Sequence, residues 1–133
     1  MARHKQKSSH NSLTVRYDDL LEYQPLTTNQ GVAFDAWDDD YNLVLSGSAG
    51  TGKTFMGMYL ALEHVLDPDT SADKLIVIRS MVPTREMGFL PGDKETKEQA
   101  FIKPYKNIAC ELFGDVNSWG KAVTAKKLSL IHI

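Results

Sequence analysis

Cysteine is all but missing: Cys110 is the single one in 133 residues. No internal disulfide can form, which excludes a disulfide-stapled secreted scaffold and suits a reducing compartment. Cys110 falls among apolar residues at helical spacing, where a buried structural thiol is expected rather than a nucleophile. Long hydrophobic runs are lacking too. None approaches the ~18 residues of a membrane span, and no secretory apolar core follows the N-terminus, so a cytoplasmic protein is expected. Charge of one sign is scarce, with a formal net charge of −2, so any nucleic-acid contact must be local. The exception is residues 1–17, which hold no acid and carry Arg3, Lys5, Lys7 and Arg16 around His4 and His10. A basic, flexible N-terminal arm is expected, open to two readings: a contact for phosphate backbones, or a solvated terminus. No Cys/His cluster accompanies the histidines, so no metal site is expected there. With 42% hydrophobic and 24% charged residues, the rest has the composition and size of one globular domain.

What the chain does have is Gly47-Ser48-Ala49-Gly50-Thr51-Gly52-Lys53-Thr54. This fits the phosphate-loop pattern G-x-x-x-x-G-K-[ST] at every position. The glycines let backbone wrap a phosphate group, the loop N–H groups converge on it, and the dipole of the following helix adds a positive end. Lys53 would reach the β- and γ-phosphates of ATP, and the Thr54 hydroxyl would ligate Mg²⁺, so these two carry the catalytic assignment. The pattern requires a strand before it and a helix after it. Tyr41–Ser46 is the expected strand, and Lys53–Leu66, closed by Asp67-Pro68, the expected helix.

Around the motif, Asp18–Tyr23 predicts a brief helical turn. Thr27 and Gln30 stand at capping-box spacing and predict a helix over about 28–38. Asp38-Asp39-Asp40 reads as a polar turn. Leu75–Ile78, continuously apolar, predicts a second strand of a parallel sheet covered on both faces. Met81–Asp93 is loop-like. Lys94–Ala100 predicts a charged helix. Phe101, Ile102, Tyr105, Ile108, Ala109, Leu112 and Phe113 form an apolar stripe, with Pro104 either kinking one helix or opening another and Gly114 as its C-cap. The expected architecture is α/β, a parallel sheet with flanking helices.

Gly47–Thr54, Leu75–Ser80 and above all Gly88-Phe89-Leu90-Pro91-Gly92-Asp93 together resemble the PhoH-like family, P-loop ATPases akin to the core of superfamily 1 helicases and frequent in bacteriophages. Phe101–Phe113 is similar to the family segment that follows, and the resemblance covers roughly residues 24–127. It implies a RecA-like P-loop NTPase fold, Mg–ATP as cofactor, and a bacterial or phage-infected cytoplasm. A homo-oligomer and coupling to RNA or single-stranded DNA are further implications. Gln30 resembles the adenine-reading glutamine of helicases, which leaves it two jobs, cap or base contact. Arg79 sits where helicase-like proteins touch single strands; a surface salt bridge is its other reading.

Hydrolysis also needs a carboxylate at the end of a further apolar strand. The apolar strand expected after Thr54, Leu75–Ile78, runs into Arg79 rather than Asp or Glu, so this chain is expected to bind ATP without turnover and to be the front half (18–127) of an ATPase domain. Leu128–Ile133 reads as a short strand that departs from the family pattern. These six residues are also the translation of CTGTCTCTTATACACATC, a transposon-end adapter, so a non-native tail is expected; the rival reading is a genuinely short protein whose apolar tail pairs with something. A P-loop kinase and a non-catalytic nucleic-acid-binding module are the alternative functions.

Overall fold

The structure, a computed structural model, describes residues 15–80 and 94–132, the side chains of 94–98 and 132 excepted. Residues 1–14, with most of the basic arm, and 81–93, with the Gly88–Asp93 motif, lie outside that description. In chain order the elements are a 3-10 turn (Tyr17–Asp19), α1 (Thr28–Asp38), α2 (Lys53–Leu66), β1 (Leu75–Arg79), α3 (Lys94–Phe113), α4 (Ser118–Thr124) and β2 (Leu128–His132).

The helices begin and end where local chemistry dictates. Thr27 caps α1, its hydroxyl accepting from the Gln30 N–H at 3.2 Å. That satisfies one of the four N–H groups a helix start leaves unpaired. Of the three aspartates read as a turn, Asp38 is the last residue of α1, and Asp39 and Asp40 make the turn, with Asp40 at a φ of 65°. Gly114, at a φ of 60°, ends α3. Its N–H bonds to Glu111 O and the Asp115 N–H to Cys110 O, the paired bonds of a Schellman motif. Pro104 lies inside α3 and opens no second helix. The N–H it lacks would have gone to the carbonyl of Ala100, an exposed residue.

The core is a helical seam. Met58, Tyr59, Leu60, Leu62 and Leu66 of α2 meet Ala109, Leu112 and Phe113 of α3, Trp119 and Ala122 of α4, Leu128 of β2, and Val15 and Leu20 from the leading segment. Leu62 and Leu112 have no exposed surface.

The sheet differs from the expected one. Tyr41–Ser46 forms no strand. Leu43 packs on the core and Leu45 Cδ1 lies 3.8 Å from where a Cβ would stand on Gly57 of α2, while Val44 is 96% exposed. The segment thus has the inward–outward alternation of a strand, but among the described residues no backbone lies alongside to complete a ladder. The parallel pair that does form joins β1 to β2, with Leu75 opposite Leu128 and Arg79 opposite His132. The unit is therefore β1–α3–α4–β2, not one built from 41–46, α2 and β1. Nor is this sheet covered on both faces: Leu75 and Val77 pack on the core, whereas Ile76 is 50% and Ile78 62% exposed.

Candidate functional site

The Gly47–Thr54 loop leads directly into α2, the central helix of the core, so its position is set by buried packing. Gly50 and Gly52 turn the chain at φ values of 79° and 82°. In this left-handed region a Cβ is strained, which explains glycine at both places. Gly52 is also the N-cap of α2 and offers no side-chain acceptor. The first N–H groups of a fourteen-residue helix are thus left without a side-chain cap, an arrangement that suits an anion.

Within the loop, the Lys53 ammonium donates to the carbonyls of Gly47 and Ser48, each at 2.7 Å, and the Thr51 hydroxyl donates to Ser48 O at 2.8 Å. The ammonium therefore folds back over the loop that precedes it. Ser46 to Gly52 are exposed, Ala49 among them, as is Thr54, while Lys53 is half-buried. These residues fit a phosphate chain: uncapped amides, a cation held over the loop, and backbone free of bulky side chains. For Mg²⁺ they supply the Thr54 hydroxyl. Among the described residues no group of three or more histidines, cysteines or carboxylates is gathered to hold a metal.

Gln30 comes to the same place. Its Nε2 donates to Thr51 O at 3.4 Å, and its Oε1 accepts from the Leu26 N–H at 2.8 Å. A reciprocal capping box would put that oxygen on the N–H of Thr27, so here the side chain reaches one residue further back. Spacing favours the cap but does not disclose the bond to Thr51. The segment ahead of Gln30 is pinned by aromatic contacts. The Tyr23 ring stands edge-on to Phe55 and Tyr59, with centroids 5.0 and 5.5 Å away. The Tyr23 N–H donates to the Tyr59 hydroxyl, which donates to Glu63, and the Tyr23 hydroxyl donates to Glu111 O. Burial pushes the Tyr59 hydroxyl above its usual titration range, with Glu63 adding to the shift. Tyr23 is raised too, by burial first and by Glu111 second. Sequence reading singled out neither tyrosine, because nothing in the spacing shows that residues 36 apart meet.

Arg79 stands apart from this site. Its guanidinium lies over the rings of Phe101 and Tyr105, 5.3 and 5.8 Å from their centroids, and Nη1 donates to Phe101 O at 3.4 Å. Half-buried, it ties β1 to α3 by cation–π stacking.

Fold and loop together define an α/β protein with a small parallel sheet and a glycine-rich loop opening its central helix. The family model described as PhoH-like protein matches residues 22–131, and the chain belongs to that family. A PhoH-like protein of Synechocystis sp. is 39% identical over 85 residues, covering 59% of this chain and 25% of that protein. Protein PhoH2 of Bacillus subtilis is 40% identical over 68 residues, 50% of this chain and 15% of that protein. A Mycobacterium tuberculosis PhoH-like protein is 35% identical over 82 residues, 61% and 23% respectively. The matched stretch thus spans a quarter or less of each of these relatives. No solved structure matches the chain. No described helix is long and apolar enough to cross a membrane.

Proposed function

We propose that this chain is the nucleotide-binding part of a cytoplasmic P-loop ATPase and binds Mg–ATP at Gly47–Thr54. The observation that carries this is the Lys53 ammonium held over a glycine loop at the uncapped start of α2. Membership of the PhoH-like family supports it. On binding, the amides of Ser48 to Thr54 would meet phosphate oxygens, Lys53 would leave its carbonyls for the β- and γ-phosphates, and Thr54 would offer its hydroxyl to Mg²⁺. Bound Mg²⁺ would neutralise charge on the phosphates. Gln30 keeps one amide proton and one lone pair beyond its two bonds, the groups an adenine contact would use if base reading were its role.

Hydrolysis belongs to the whole protein in this reading, as does any coupling to RNA or single-stranded DNA and any homo-oligomeric assembly. Among the described residues neither strand ends in a carboxylate that could position water: β1 closes on Arg79 and β2 on His132. Calorimetric titration with Mg–ATP tests the proposal: the chain should bind without turnover, and Lys53→Ala should abolish binding. Equal affinity in the two would show that the loop is not the site.

A further inference from the structure

Among the described residues, Gln30 is the one side chain from outside Gly47–Thr54 that hydrogen-bonds the loop. Its carboxamide is fixed at both ends. Oε1 is held by the Leu26 N–H at 2.8 Å, which sets the amide plane, and Nε2 is then aimed at Thr51 O. Nε2 also lies 3.8 Å from where a Cβ would stand on Gly52, so it sits against the left-handed turn that opens α2. Thr51 in turn bonds Ser48 O, carrying the contact across the loop. α1, which bears Gln30, is docked on α2 by Phe34 against Tyr59 and by Trp37 against His64, with centroids 6.0 and 5.5 Å apart.

We infer that Gln30 is a positioning residue for the phosphate loop: its amide braces the Thr51–Gly52 turn, so it governs the affinity for a phosphate chain whatever base that chain carries. The inference rests on the nucleotide-binding reading above and departs from a base-reading role in one measurable respect. A glutamine that only reads adenine affects ATP and leaves base-free ligands alone. A glutamine that braces the turn affects them all by one factor.

The test is calorimetric titration of the chain with Mg–ATP, Mg–GTP and Mg–tripolyphosphate. Gln30→Met keeps the length and neutrality of the side chain and removes both hydrogen bonds. It should weaken all three ligands by the same factor, about 3- to 10-fold for the loss of a modest hydrogen bond. Thr27→Ala removes the α1 cap and leaves the Thr51 bond, so it should lower the melting temperature while keeping the three affinities within about 2-fold of the parent. A loss confined to ATP would overturn the inference in favour of base reading. No loss in Gln30→Met, or an equal loss in Thr27→Ala, would overturn it in favour of a plain cap. If the parent chain binds none of the three ligands, the phosphate-loop reading itself falls, a result distinct from the others.

Discussion

The two ends of α2 are built to opposite specifications. Its start follows an exposed loop of glycines and small polar residues and is left without a side-chain cap. Its second half buries Leu60, Leu62, Val65 and Leu66 in the middle of the core. One helix therefore carries both the anchoring and the proposed chemistry, and the two are separated along its length by about two turns. Burial fixes where the loop stands, while the loop's own residues contribute little to holding the fold together. Substitutions at the buried end should cost stability, and substitutions at the exposed end should cost ligand binding.

The largest effect is expected at the buried end. Leu62→Ala removes a side chain with no exposed surface and should destabilise by about 2–5 kcal/mol, read from urea unfolding. A loss below about 1 kcal/mol would mean that the seam of α2 with α3 and α4 is not the stabilising core. Lys53→Ala should invert that result, abolishing Mg–ATP binding while melting stays within about 2 °C of the parent. A melting drop as large as that of Leu62→Ala would break the separation between the two ends.

Gly50→Ala sharpens the comparison further. Space is open around Gly50, but its φ is 79°, so the substitution tests backbone strain alone, worth roughly 1–2 kcal/mol. That strain should appear as weaker binding rather than lower stability, because an exposed loop can relax to another shape. The smallest effect is alkaline. Tyr59 holds its proton more tightly in the folded protein than the ordinary value of 10.0. Its contribution is complete below pH 10 and is lost as pH rises past it, since the unfolded chain then releases the proton first. Tyr59→Phe should therefore flatten the fall in melting temperature above about pH 10, and an unchanged alkaline slope would assign that fall to other groups.

The same contrast explains what was legible in the sequence. α1 and α2 were readable at both ends, because a cap at Thr27, a stop at Asp67-Pro68 and apolar spacing are all local signals. The glycine loop was readable for the same reason: Gly47, Gly52, Lys53 and Thr54 hold the fixed positions of a local pattern. Tyr41–Ser46 was misread as a strand since a strand is completed by a neighbour, and its own six residues do not say which neighbour comes. β1 and β2 were both visible as apolar runs, yet their pairing was not, because register between distant segments leaves no local mark. The short helix α4 was missed altogether; seven residues with Gly120 near the middle carry little helical signal. At the site, Gln30 stood out by its spacing, but its choice of the Leu26 N–H and Thr51 O depends on how α1 docks on α2.

The pairing of β1 with β2 also bears on the order in which the molecule assembles. Leu75 must find Leu128, roughly fifty residues along the chain, across two helices whose bonds are all local. Closing so long a loop is entropically costly until the intervening helices have shortened it. The sheet should therefore be the last part to form on refolding and the first to open on unfolding. Amide hydrogens at Val77 and Leu130 would then exchange faster than those at Leu62 and Leu112, and the reverse ranking would place the sheet in the folding nucleus instead.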